Sequence, residues 1–258
     1  MYISCCTWAL SGSEDQVLLR LAEAGFRYID FRPFDFRSDA AQGRMRALKL
    51  TPSCMATAFG MLEEAALDSS SPGGAAARAH ICDALDYAER MGVERAYMLP
   101  GTDAGADALH RYAESARILA GHAEQRGIRL CIEHFPGKAL PTIADTLRFI
   151  DDTGHPNLHL LLDTGHAQIS REDPVEAIRK AGDRLGYVHL DDNDGVGDLH
   201  WALCDGVLTV TALTDVLKAL HDSPYDGPVS LEIHPTLPDP LDALVRSLDT
   251  VCQALDEC

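Results

Sequence analysis

Leu160-Leu161-Leu162-Asp163-Thr164-Gly165-His166 decides how this chain is read. An apolar run of strand length stops at a carboxylate, a glycine and an imidazole, the pattern of a buried strand that delivers polar chemistry at its tip. Three other stretches repeat it. Leu130-Cys131-Ile132 ends in Glu133-His134, Leu185-Gly186-Tyr187-Val188 ends in His189, and Val229-Ser230-Leu231 ends in Glu232-Ile233-His234. If the four runs lie side by side and parallel, their tips converge. Two glutamates, an aspartate and a histidine brought together repel one another or stay unpaired unless a divalent cation lies between them.

The rest of the chain supplies the frame for such a sheet. Met1 to Ser4 reads as a first strand, and Ser13 to Ala24 as a helix with Ser13 as its N-cap and Gly25 as its stop. Strands follow at 26–31, 50–56, 95–99, 129–133, 158–163, 185–189 and 229–232. Helices are expected at 38–48, 75–91, 104–125, 142–152, from Asp173-Pro174 onward, and at 209–221 and 240–255. Ser69-Ser70-Ser71-Pro72-Gly73-Gly74 is the one loop-like tract, short enough for a βα loop at the rim.

Eight strands alternating with eight helices, in repeats of about 30 residues, predict a single (β/α)8 TIM barrel over 1–258. A doubly wound open sheet shares the alternation. It would require a glycine fingerprint after the first strand, and no G-x-G-x-x-G stands there; polar tips also occur on four successive strands instead of at one switch point.

Composition narrows the partners. The 258 residues are 46% hydrophobic and 24% charged, enough to bury a large core. With 22 basic against 40 acidic residues the formal charge is -18, and no Lys/Arg-rich run tracks phosphate, so nucleic acid is not an expected partner. No apolar run approaches the roughly 20 residues of a membrane span, and no basic segment precedes a signal-like core. The expectation is a soluble cytoplasmic protein. Its eight cysteines include no C-x-x-C and are read as reduced thiols, with Cys5 and Cys54 able to line a pocket.

In a barrel the C-terminal strand ends and the loops after them form the active face. Taken singly, Glu133, Asp163, His189 or Glu232 is as readily a helix cap or a satisfied core residue. Four successive strands ending alike favour a shared ion. Three carboxylates and one imidazole suit Mn2+ or Mg2+, with Zn2+, Co2+ and Fe2+ compatible. His166 lies one short turn beyond Asp163, where it can reach substrate or a second ion, or orient a ligand. In the acidic loop Asp191 to Asp205, Asp198 and His200 can present both side chains to one face. His134 and His234 follow two of the strand tips and are weaker candidates for the pocket wall.

These residues carry a resemblance. Leu130 to Glu133, Leu162 to His166, His189 to Gly195, Asp198-x-His200 and Leu231-Glu232, in this order, resemble the motifs of the sugar phosphate isomerase/epimerase superfamily, the xylose isomerase-like TIM barrels. The likeness to ketose 3-epimerases and hydroxypyruvate isomerase implies one divalent metal on Glu133, Asp163, His189 and Glu232. It further implies that the two glutamates move protons and that His166 hydrogen-bonds substrate. Epimerases of this kind carry an Arg shortly after the ligand histidine; none stands between His189 and Glu232. The more distant likeness to apurinic endonucleases implies further ions, one of them on His166, Asp198 and His200, but Ala56 and Leu99 stand where the first ion's histidines belong.

The expected activity is therefore isomerisation or epimerisation of a small ketose or hydroxy-keto acid through an enediolate, with dehydration of a sugar as a related outcome. The rival is phosphoester hydrolysis by a two-ion site, and a barrel that binds sugar without catalysis is a third reading. Barrels of this kind often pair into homo-oligomers through exposed helices and loops.

Overall fold

The computed structural model describes residues 1–256. Its eight strands are β1 (Ile3–Cys6), β2 (Tyr28–Phe31), β3 (Thr51–Ala56), β4 (Arg95–Met98), β5 (Arg129–Glu133), β6 (Leu158–Asp163), β7 (Leu185–Leu190) and β8 (Val229–Leu231). They pair in parallel in chain order and close when β8 returns to β1, with Ile3 opposite Val229 and Cys5 opposite Leu231. The fold is a single (β/α)8 TIM barrel, as expected. Strand β1 begins two residues later than the sequence indicated, because its backbone pairing with β8 starts at Ile3 opposite Val229.

Around the ring lie α1 (Glu14–Glu23), α2 (Asp39–Ala47), α3 (Gly73–Arg90), α4 (Ala106–Glu124), α5 (Ile143–Thr153), α6 (Thr164–Ser170), α7 (Pro174–Ala181), α8 (Val210–His221) and α9 (Pro240–Asp256). Ser13 closes a capping box with Gln16 at the start of α1, and Asp173 caps α7 with Pro174 in its first turn, both legible beforehand. Helix α6 is the addition to the expected set. It starts directly at the end of β6 because the Asp163 side chain accepts the His166 backbone N–H at 2.7 Å and so acts as the N-cap. Gly73 and Gly74, expected in the rim loop, open α3.

Strand parity decides which side chains reach the interior. Leu130 and Ile132 of β5, Leu160 and Leu162 of β6, Val188 and Leu190 of β7, and Val229 and Leu231 of β8 face the helices and join the main core. Each such fully buried aliphatic side chain contributes about 1.5–3 kcal/mol. The alternate residues Cys131, Leu161 and Tyr187 pack with Cys54, Ala56 and Tyr97 inside the ring. Two residues further on, on the same inner face, come Glu133, Asp163 and His189. Register is kept by a bulge where Leu160 pairs with Leu185 but Leu161 pairs with Tyr187. Gly186 is the extra residue, and a Cβ there would lie 2.5 Å from Cys131 Sγ and 2.6 Å from His159 Cβ. The bulge sets Asp163 opposite His189. No helix among the described residues is long and apolar enough to cross a membrane.

Candidate metal centre

Four strand tips converge. One donor atom each from Glu133, Asp163, His189 and Glu232 lies within 4.8 Å of the others. His189 Nδ1 is 2.7 Å from Glu232 Oε2, 3.8 Å from Glu133 Oε1 and 3.9 Å from Asp163 Oδ2. Donors about 2.1–2.3 Å from a common ion stand about 3–4 Å apart, so the two longer separations suit a divalent cation. Asp163 divides its work: Oδ1 caps α6, while Oδ2 is buried without a hydrogen-bond partner. His189 Nδ1 is likewise unpartnered, since its short approach to Glu232 lacks hydrogen-bond alignment. Buried polar atoms left this way cost about 1–3 kcal/mol each, and their convergence fits an ion held by these four residues.

A second group adjoins the first. His166 Nδ1–H donates to the His134 carbonyl at 2.9 Å, which turns Nε2 toward Asp198 Oδ1 at 3.2 Å. His200 Nε2 is 2.9 Å from the same oxygen, and its Nδ1 is 3.0 Å from Asp191 Oδ2. His200 adopts φ 44°, a left-handed conformation rare for a non-glycine residue and common at functional sites. His166, Asp198 and His200 can themselves hold an ion, as can Asp163, Asp191 and His200. All three residues expected beside the first group are thus brought to it.

The Asp191 loop is buried where it leaves β7. Asp191, Asp192 and Asn193 are fully buried. Asp192 accepts backbone N–H groups from Asn193, Gly206 and Leu208. Asp191 Oδ1 accepts the Gly165 N–H at 2.7 Å, and a Cβ on Gly165 would sit 2.3 Å from Asp191 Oδ2. That contact explains the glycine between Asp163 and His166.

Residues 18–253 match the family model described as Xylose isomerase-like TIM barrel. The chain belongs to this family. Over 229 residues, 82% of this chain and 77% of the relative, it is 27% identical to the L-ribulose 3-epimerase of Mesorhizobium japonicum. It is 32% identical over 129 residues to the D-psicose 3-epimerase of Enterocloster bolteae, a match spanning 47% of this chain but only 39% of that enzyme. A solved structure of an L-ribulose 3-epimerase superposes with a TM-score of 0.85 at 21% identity, covering 100% of this chain and 95% of the other, a likeness of fold.

In this xylose isomerase-like barrel the electrostatics of the mouth express an excess of carboxylate. Burial pushes the Asp163 carboxyl well above its usual range, and Asp191 and Glu133 add to the push. Burial disfavours a charged His189, yet Glu232, Asp30 and Glu133 raise its proton affinity well above that of free imidazole. His166 is likewise drawn up, to about 10, by Asp163, Asp198 and Glu133 against the opposing effect of burial. Glu232, pushed up by burial, is pulled down further by His189 and His200, to about 2.

Several groups escaped the reading of strand ends. Asp30, inside β2, is fully buried with its Oδ2 3.6 Å from His189 Nε2. Trp8, in the turn after β1, donates Nε1–H to Glu232 Oε1 at 3.0 Å. Asp191 reaches His200. Strand parity could have found Asp30, which alternates with the outward Ile29 and Phe31. Of the weaker candidates, His134 is fully buried with Nε2 against the Asp163 backbone, and His234 stacks on His200 with ring centroids 6.5 Å apart. Cys54 is buried inside the ring, whereas Cys5 packs into the main core. The cysteines among the described residues are free thiols, and Cys258 lies outside them.

Proposed function

We propose that the chain is a divalent-metal-dependent isomerase or epimerase of a small ketose or hydroxy-keto acid, with Glu133 and Glu232 exchanging the proton. The observation that carries the reading is the convergence of Glu133, Asp163, His189 and Glu232 donors within 4.8 Å, with buried donor atoms unpartnered at its centre. Glu133, Asp163, His189 and Glu232 would hold a divalent ion, which would supply Lewis-acid polarisation of the substrate carbonyl. Mn2+ or Mg2+ suits the oxygen-rich set; Zn2+, Co2+ and Fe2+ also fit.

The proton is moved by the chain's own groups. Glu232 is held ionised by His189, His200 and the Trp8 N–H, as a base must be. Glu133, on β5, approaches from the other side of His189 and serves as the partner acid. Return of the proton to the opposite face of the same carbon is epimerisation, and return to the neighbouring carbon is aldose–ketose isomerisation. His166 Nε2 and His200 stand where they can hold substrate oxygens. The kinship with ketose 3-epimerases makes a free ketose the first substrate to try.

The second group favours one rival. His166, Asp198 and His200 can hold a further ion, which would equip the mouth for phosphoester hydrolysis. One experiment separates the two. The Mn2+-loaded protein is incubated with a panel of ketoses in deuterated water, and exchange is followed by NMR at the carbon beside the carbonyl. Exchange with at least one ketose, at one bound ion per chain, is expected. No exchange with any ketose, together with cleavage of a generic phosphodiester at two bound ions, transfers the assignment to hydrolysis.

A further inference from the structure

Beneath the convergence point, the barrel interior holds a carboxylate that strand-tip chemistry leaves unused. Asp30 is fully buried, and its two oxygens face different neighbours. Oδ1 accepts three hydroxyls, from Ser4 at 3.0 Å, Ser53 at 2.5 Å and Tyr187 at 2.6 Å. Oδ2 receives none of them. It faces His189 Nε2 at 3.6 Å and the Cys6 thiol at 3.9 Å. His189 Nε2 is itself buried without a hydrogen-bond partner, while the Tyr97 and Tyr187 rings meet the imidazole edge-on at 5.3 and 5.6 Å. Two tyrosine rings thus flank the imidazole, with Asp30 beside Nε2 and the Glu133, Asp163 and Glu232 oxygens beside Nδ1.

We propose that Asp30 is a positioning residue that selects the tautomer of His189. Its Oδ2 takes the Nε2–H, leaving the Nδ1 lone pair directed at the ion site. The pair stands about 0.4 Å outside the hydrogen-bond range of about 2.7–3.2 Å. The three hydroxyls fix the carboxylate so that only Oδ2 can close that gap. A carboxylate behind a ligating imidazole orients the ring and raises its basicity, and losing it typically costs about 10–100-fold in metal affinity. The proposal rests on the four-residue ion site described above.

Asp30→Asn tests it with almost no change of shape. Three hydroxyl donors claim the amide oxygen, so the NH2 faces His189 and favours the opposite tautomer, with the proton on Nδ1. Protein labelled with 15N-histidine is loaded with Zn2+ and studied by two-bond 1H–15N correlation, with His189→Gln identifying the resonance. Zn2+ affinity is measured by competition with a chelator. The Zn2+-loaded wild type is expected to show a hydrogen-bonded, downfield Nε2–H, and Asp30→Asn, whose NH2 cannot accept that proton, to shift it upfield and bind Zn2+ about 10–100-fold more weakly. Should Asp30→Asn not fold, Tyr187→Phe removes one of the three anchoring hydroxyls and is expected to weaken Zn2+ binding severalfold.

Equal affinities and an unchanged Nε2–H shift across these proteins overturn the proposal. So does a thiolate-to-cobalt charge-transfer band on Co2+ loading, which would put an ion between Cys6, Asp30 and Nε2, donors that also lie within 4.8 Å of one another. A wild type that takes up no Zn2+ refutes the ion site itself, and the role of Asp30 with it; the two failures are therefore distinguishable.

Discussion

The two ends of this barrel both bury charged side chains, and they treat them differently. At the N-terminal end, Arg95 of β4 and Arg129 of β5 converge on Asp226 at 2.7 and 3.2 Å. Tyr225 donates its hydroxyl to the Pro228 carbonyl, and His159 of β6 places Nδ1 3.2 Å from the Asp183 carbonyl. Apart from Arg95 Nε, these groups find partners. At the C-terminal mouth, nitrogens of His166, His189 and His200 and oxygens of Asp163 and Asp191 remain without one. Mutual pairing marks an end that serves stability. Donors that share a focus while missing one another mark an end shaped for a ligand.

The sharpest way to break the contrast is to neutralise the mouth without changing its volume. Glu133→Gln and Glu232→Gln are each expected to lower kcat by about 10²–10⁴-fold on the substrate found by deuterium exchange. Circular dichroism should show the fold retained. Wild-type turnover by both variants would remove the proton-transfer roles.

Next in size is the response to the ion. A ligand bound only by the folded state at 100 times its Kd adds about 2.7 kcal/mol. For a chain of this length that corresponds to a Tm rise of about 5–10 °C. Scanning calorimetry with Mn2+ and with EDTA measures it directly. The rise is expected in the wild type and should shrink in Asp163→Asn, which leaves the N-terminal end untouched. An equal rise in both would detach the ion from the mouth.

How far the sequence already disclosed this contrast depends on the end considered. The closed ring was legible because strand and helix alternate with short connections. The four converging residues were legible because each ends an apolar run, where polarity changes abruptly. Asp30 was not, since Phe31 follows it and the run does not stop there; only the alternation of inner and outer faces exposes it. Trp8 and Asp191 were hidden for another reason. Their partners, Glu232 and His200, lie far along the chain or in an irregular loop, where periodicity carries no information. Helix α6 was missed because its N-cap is Asp163, already read as an ion ligand, and one side chain performs both tasks through different oxygens.

The smallest expected effect sharpens the contrast from the paired end. Burial, reinforced by Arg129, lowers the His159 pKa to about 4. The folded value lies below the unfolded value of about 6.5, so the folded state binds fewer protons across that window. The stability contributed by neutral His159 is therefore fully present above about pH 6.5 and is lost as the pH falls toward 4. With the ring partly open to solvent, the loss is about 1 kcal/mol after screening, or about 2–4 °C in Tm. Calorimetry of the wild type and His159→Gln at pH 6.5 and pH 4 isolates it, because a constant cost of the substitution cancels in the double difference. The wild type should lose more Tm than the variant over this range, while the Mn2+-induced rise at pH 7 stays the same in both. Parallel losses would mean that His159 is solvated in the folded state; a reduced Mn2+ rise would mean that the two ends of the barrel are coupled.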